Sequence, residues 1–398
     1  MQVKHFGRYE LLRKVAMGGM AEIFIALQRG RSGFKKEVIV KRLFRHLADD
    51  KRVLQLFKNE AQLLASLDHP GIPQVYDFGI ADGQWYMVME RVRGFSVAEL
   101  VDVLHQQQKA LPLESALSVV IQAADALHFA HENGSVLGGA SGIVHRDVTP
   151  QNLMLGRHGH LKVLDFGVAQ TSEGTGTQSG VVTGTYAYMP PEQIQGRRLD
   201  RRADVFALGV VLFELATHTR LFPGTDLEVM TAVVEQDAPR PSERVANFDP
   251  DLEAILMASL ERERMKRTQH ARLLADQLEE FAAKKGYVVT PVRVSRFLKS
   301  VSEWLPDDDT RFEKLAPGQI LDGFGDGTGS GSGSESIQSF DDESLLEDIK
   351  LLSSPLGSAS SRPLAVKERT ERSNRFPYDA LSVDLGEARG DKDRDPES

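Results

Sequence analysis

Between Tyr9 and Glu90, apolar residues gather in five short runs bounded by polar and glycine-containing stretches, "YELLRKVA", "EIFIALQ", "KEVIVKRL", "PQVYDFG" and "QWYMVME". Runs of that length and composition read as strands. One segment breaks the rhythm: Val53, Leu54, Leu56, Phe57, Leu63, Leu64 and Leu67 recur at helical spacing, with Asp49 or Asp50 placed to cap its start. The first part of the chain therefore reads as a small sheet carrying one helix. From about residue 96 to 283 the pattern turns mostly helical, in "LESALSVVIQAADALHFAHE", "ADVFALGVVLFELATH" and "DLEAILMASLERE", which predicts a larger, mainly helical lobe. The fold class read from this order is α+β.

Beyond Lys285, "PVRVSRFLKSVSEWL" places Val294, Phe297, Leu298, Val301 and Leu305 on one helical face, expected to dock on the preceding lobe. From "DGFGDGTGSGSGSES" onward, Gly, Ser and acidic residues replace apolar ones, so residues 322–398 are expected to be a disordered acidic tail. Within it, "DDESLLEDIKLL" has the pattern of an amphipathic helix formed on a partner. "GSVLGGASG", Gly134 to Gly142, reads as a surface loop.

Composition narrows the function classes. At 398 residues and 41% hydrophobic content, the chain can fill a sizeable core. A formal charge of -9 with no basic stripe argues against nucleic acid as a partner. Without cysteine there is no disulfide framework, thiolate metal site or Cys nucleophile, a usage compatible with a reducing compartment. The opening "MQVKHFGRYELL" lacks the layout of a signal peptide, and no run reaches the roughly 18 apolar residues of a membrane span. A cytoplasmic location is expected.

The chemistry concentrates in "GIVHRDVTPQNLMLGRHGHLKVLDFGVA", where His145, Arg146, Asp147 and Asn152 precede Asp165, Phe166 and Gly167. Over about residues 9–283 these motifs, in this order, resemble the protein kinase family, and "HRDVTPQN" and "GGMAE" resemble its eukaryotic-like (Hanks-type) bacterial serine/threonine members. The resemblance implies a bilobal fold, with an N-lobe at about 9–90, a hinge at about 90–94, a C-lobe at about 95–283, and a helical extension at 284–321 ahead of the tail. It implies transfer of the γ-phosphate of ATP to Ser or Thr hydroxyls of protein substrates, autophosphorylation included, with Mg2+, for which Mn2+ can substitute.

By the same resemblance, Asp147 accepts or orients the hydroxyl proton, Asn152 and Asp165 ligate the metal, and Lys41, fixed by Glu60, holds the α and β phosphates. The nucleotide pocket is expected from Val15, Ala16, Gly18, Gly19, Ile23, Ile39, Lys41, Met89, Glu90, Val92 and Leu153, with Met89 as gatekeeper. "VTGTYAYMPPEQ" resembles the end of an activation segment, in which Gly184 and Thr185 match and Thr185 favours Ser/Thr acceptors. Glu192 is expected to pair with Arg267, and Asp204 to brace the catalytic loop. Thr171, Ser172, Thr175, Thr177, Ser179 and Thr183 are candidate phosphorylation sites, with Arg146 as the phosphate receiver.

Several positions depart from the pattern. Ala16 and Ala21 stand where the first and third glycines of the phosphate loop are usual, Thr149 replaces a lysine that contacts the γ-phosphate, Ile39 a small residue over the adenine, and Pro190 an alanine. Gly18 and Gly19 keep the loop tip free of side chains, which backbone approach to phosphate requires. The rival expectation is a pseudokinase that binds nucleotide and signals by shape. With no membrane span, the chain is expected to answer another cytoplasmic protein, with the tail a docking segment for an upstream or downstream kinase or regulator.

Overall fold

The computed structural model describes residues 4–30, 33–133, 142–166 and 185–305. The Gly134–Ser141 part of the expected loop, Gly167–Gly184 with all six candidate phosphorylation sites, and residues 306–398 with the acidic tail lie outside the described residues.

The chain opens with strands β1 (Lys4–Phe6), β2 (Tyr9–Met17), β3 (Ala21–Arg29) and β4 (Lys35–Leu43), then helix α1 (Lys51–Ser66), then β5 (Val75–Ala81) and β6 (Gln84–Glu90). These six strands form one antiparallel sheet in the order β1-β2-β3-β4-β6-β5. The first strand precedes the expected boundary at residue 9. Three residues are too few to show a period, and β1 is made by the turn at Gly7, where φ is +53°, which returns the chain so that Phe6 faces Tyr9.

Alternation along β4 divides the sheet's two faces. Val38 and Val40 join Phe6, Tyr9, Leu11, Ala26 and Val88 in a small outer core, whereas Leu43, with Ala21 and Met87, belongs to the main core. Ile39 and Lys41 therefore share Leu43's inner face. Asp50 caps α1 by accepting the N–H groups of Arg52 and Val53, and the helix buries Phe57, Glu60, Ala61, Leu63 and Leu64.

The second lobe holds β7 (Gly94–Ser96), α2 (Val97–Gln106), α3 (Leu113–Asn133), β8 (Leu153–Gly156), β9 (Leu161–Val163), α4 (Pro191–Ile194), α5 (Arg202–Thr217), α6 (Asp226–Glu235), α7 (Pro250–Ser259) and α8 (Ala271–Lys285). A three-stranded sheet, β7-β8-β9, lies at its start. Helix α5 is apolar on all sides and buried along nearly its whole length, as a central core helix must be. Helix α3 packs against both α5 and α8.

A last helix, α9 (Pro291–Ser300), lies against α3 and buries Val294 and Leu298, with Val301 buried just past its end. It is shorter than its apolar spacing suggested: Leu305 and Phe297 are only partly buried, and Leu305 lies beyond the helix. Among the described residues no helix is long and apolar enough to cross a membrane.

Candidate active site

Lys41 emerges from the inner face of β4 toward α1, where the Glu60 carboxylate meets its ammonium at 2.6 Å. Asp165 approaches the same ammonium at 3.8 Å. Burial alone would lower the Lys41 pKa, but the charges of Glu60 and Asp165 outweigh it and hold the lysine protonated. Burial and the nearby Asp165 push Glu60 up, against the pull of Lys41. One ammonium thus faces two carboxylates from separate elements.

The segment from His145 to Asn152 has no ladder of its own and is held from below. Asp204, buried in the first turn of α5, accepts the backbone N–H groups of His145 at 2.8 Å and Arg146 at 2.9 Å, and its Oδ2 lies 2.7 Å from His131 Nε2. Burial would raise the Asp204 pKa, yet these contacts with His131 and His145 hold it below the ordinary aspartate value. The bracing matters because Arg146 has φ of +70°, a conformation that costs a non-glycine residue about 1–3 kcal/mol. His145 Nε2 also meets the Leu164 carbonyl at 2.8 Å, and its ring lies 4.7 Å from that of the buried Phe166. The residue ahead of Asp165 is thereby tied to the loop that carries Asp147.

Asn152 Nδ2 donates to the Asp147 carbonyl at 2.8 Å and to Asp147 Oδ2 at 2.9 Å. Burial, with Asp165's charge in the same direction, raises the Asp147 pKa against the opposing influence of His145 and Asn152. Asn152 spends its amide hydrogens on Asp147, so Oδ1 is the atom it can offer a cation. Asp165 is half exposed, with φ of +53°, and its carboxylate is open to a ligand. Among the described residues no group of three or more His, Asp or Glu forms a metal cage. Two oxygen donors without a cage suit an ion that brings phosphate oxygens and water with it.

The expected nucleotide-contact residues line up on the sheet. Ala16 and Ala21 fall on β2 and β3, and Gly18 and Gly19 form the exposed tip between them, closed by the Gly18 N–H bond to the Ala21 carbonyl at 2.8 Å. A Cβ on Gly18 would meet only that carbonyl, at 3.7 Å, so the protein itself does not demand glycine there. Ile23 pairs with both Ala16 and Lys41, and Ile39 pairs with Met89, in the strand register; Val15 is half-buried on β2. Glu90's N–H is taken by the Gln74 carbonyl at 2.8 Å, and Val92 follows between β6 and β7.

Leu153 departs from the expectation. It is completely buried, because alternation along β8 turns Leu153 and Leu155 into the core while Met154 stays only partly buried. Met154 is the residue between the two core leucines whose side chain keeps some exposure; the signal is the period-two burial of the strand. Sequence reading also missed Lys162 of β9, which meets Glu90 at 2.9 Å and the Ile72 carbonyl at 3.2 Å, joining the two lobes beside the β6–β7 connection.

Below the site, Glu192 and Arg267 form a two-pronged pair at 2.7 and 3.0 Å, with Arg267 wholly buried and its guanidinium 5.0 Å from the Phe206 ring centroid. Tyr188, in the short 3-10 turn Thr185–Tyr188, donates to Glu214 of α5 at 2.7 Å and accepts from Arg220 at 2.7 Å. Pro190 and Pro191 start α4, where a missing N–H costs nothing.

A profile of the protein kinase domain matches residues 9–278. The chain is similar to the tyrosine-protein kinase MasK of Myxococcus xanthus (strain DK1622), 42% identical over 278 residues that make up 69% of this chain and 43% of that protein. It is 36% identical over 272 residues to the serine/threonine-protein kinase PknB of Mycolicibacterium smegmatis, 66% of this chain and 41% of that protein. The Mycobacterium tuberculosis PknI kinase domain matches at a TM-score of 0.52 and 25% identity, covering 70% of this chain and 97% of that one. The chain spans less than half the length of these curated relatives. With motifs, two-lobed architecture and profile in agreement, the chain belongs to the protein kinase family.

Proposed function

We infer that this chain transfers the γ-phosphoryl group of Mg-ATP to serine and threonine hydroxyls of proteins, itself included. The observation that carries the reading is the convergence of Lys41, Asp147, Asn152 and Asp165, brought from β4, the loop before β8 and the segment after β9 into one connected polar group. Kinases of this family use ATP and a divalent metal.

In this reading Asp147 accepts or orients the hydroxyl proton, and the Asn152 hydrogen bond keeps its carboxylate aimed. Lys41, steadied by Glu60, holds the α and β phosphates, while Gly18 and Gly19 let backbone N–H groups approach phosphate oxygens. Asn152 and Asp165 would hold Mg2+, which neutralises phosphate charge when bound. Ile39, Met89 and Met154 would flank the base. Residues 9–283 are the proposed catalytic unit, 284–321 a helical extension and 322–398 an acidic docking tail in a cytoplasmic, bacterial signalling protein; autophosphorylation is proposed within Thr171–Thr183.

The presence of Lys41, Glu60, Asp147, Asn152 and Asp165 together supports turnover over a pseudokinase. Full-length protein incubated with γ-labelled ATP and a generic acceptor is expected to transfer label, and Asp147→Asn to lose about 10²-fold or more of the rate. Equal labelling by both proteins would overturn catalysis through Asp147. Phosphotyrosine is the second reading, favoured by the name of the 42% identical relative. Phosphoamino-acid analysis of the labelled product separates the two.

A further inference from the structure

The three residues Arg91–Arg93 join β6 to β7 outside both strands, and contacts at either end and along the segment hold them. At the front, Glu90 is tied to Gln74 and Lys162. At the back, Gly94 pairs with Gly156, and a Cβ on Gly94 would overlap the Leu155 carbonyl, so β7 and β8 are in close backbone contact. The Arg157 N–H donates to the Arg93 carbonyl at 3.3 Å. Arg93 and Arg91 both meet the Glu37 carboxylate of β4, Arg93 at 2.6 Å.

The turn that carries Arg157 is itself held by α9. Ser295 Oγ donates to the Arg157 carbonyl at 3.0 Å. Gly159, with φ of +81°, lies so close under the helix start that a Cβ would overlap the Pro291 carbonyl. Gln122 of α3 locks the same turn, donating to the Gly159 carbonyl at 3.2 Å and accepting the Leu161 N–H at 3.1 Å. Arg293 reaches Glu114 of α3 at 3.0 Å, and Val294, Leu298 and Val301 bury the helix's inner side. Residues 291–301 lie beyond the region matched by the kinase profile, yet they end a continuous chain of contacts running from α9 through Ser295, Arg157 and Arg93 to Glu37.

We propose that α9 is a positioning element for the nucleotide-binding hinge: seated against the β8–β9 turn, it fixes the back of Arg91–Gly94 and thereby the backbone groups that meet the base. The inference rests on the reading of Glu90 and Val92 as base contacts. Ser295 acts through the turn and touches no substrate. A discrete packed path of this kind is the physical form coupling takes between a remote element and a site.

The test compares full-length wild type with Ser295→Ala, Val294→Asp and, as control on the exposed side of the same helix, Val292→Asp. Amide hydrogen exchange at residues 90–95 and the Kd of a fluorescent ATP analogue are measured, with kcat and KM for ATP. Ser295→Ala and Val294→Asp are expected to speed exchange at 90–95 and to raise Kd and KM by about two- to thirty-fold while kcat changes less. Val292→Asp should match wild type. Unchanged exchange and Kd in Ser295→Ala and in a folded Val294→Asp overturn the brace. Should wild type itself bind no nucleotide, the base-contact reading fails, and faster exchange at 90–95 in the variants still decides for the brace or, if missing, against it.

Discussion

The Asp204 carboxylate on α5 receives the backbone N–H of His145 at 2.8 Å, placing a buried anion directly beneath the loop that carries Asp147. Asp204→Ala leaves the N–H groups of His145 and Arg146 and the His131 ring without their acceptor, at about 1–3 kcal/mol for each buried group. Urea unfolding should show a loss of about 3 kcal/mol or more, with label transfer lost as well. The pH dependence has a definite sign. A carboxyl held below its unfolded pKa contributes stability that is complete above about pH 4 and disappears as pH falls through the lower folded value. The gap in urea midpoint between wild type and Asp204→Asn should stay constant from pH 8 to about 5 and close only at lower pH. A gap that closes already above pH 5 contradicts the assigned direction.

Asp147 shifts the other way. Burial, seconded by Asp165, raises its pKa, and a proton acceptor must be ionised to work. The acid limb of kcat/KM should therefore have its midpoint above the ordinary aspartate value of about 3.9. A midpoint at or below that value, measured over the range where urea unfolding shows the protein folded, removes Asp147 as the titrating group.

Breaking the Glu192 and Arg267 pair from one side strands a buried charge. Arg267→Met also abandons the carbonyls of Glu261, Arg262 and Arg202 that its guanidinium serves. A stability loss of about 3–5 kcal/mol is expected by chemical denaturation. The double variant Glu192→Met/Arg267→Met should recover part of it. A single-variant loss under about 1 kcal/mol would show that water reaches the pair.

At the loop tip, stability and activity should separate. Since a Cβ at Gly18 meets nothing closer than 3.7 Å, Gly18→Val should leave the unfolding midpoint within about 0.5 kcal/mol of wild type. Turnover of ATP should nonetheless fall severely, because the added side chain stands where phosphate must approach. Ala16→Gly, on β2 opposite Ile23, should change turnover little. Equal effects of the two on kcat/KM for ATP would refute a phosphate-facing role for the tip.

The two neighbours on β8 offer a parallel separation. Leu153→Ala opens a cavity in the main core and should cost about 2–5 kcal/mol in urea unfolding. Met154→Ala, only partly buried, should cost clearly less stability than Leu153→Ala but alter the affinity for a fluorescent ATP analogue. The reverse assignment of effects would restore Leu153 to the pocket.

Local periodicity was enough to place β2 to β6, the capped helix α1 and the helices of the second lobe, because strand and helix spacings are written in a few consecutive residues. The gathering of Asp147, Asn152 and Asp165 was equally readable, since they lie within one short stretch, and the structure brings them together. Tertiary structure decided what depends on faces and distant partners. Which of Leu153 and Met154 is buried turns on which face of β8 the core covers. That the Glu90 N–H is already engaged turns on Gln74, and that the Asp147 loop is braced turns on Asp204 and His131, outside that loop. The three residues of β1 and the early end of α9 escaped for a related reason. A hydrophobic pattern records what a segment can bury, and only the packed neighbours determine how much of it is buried and against what.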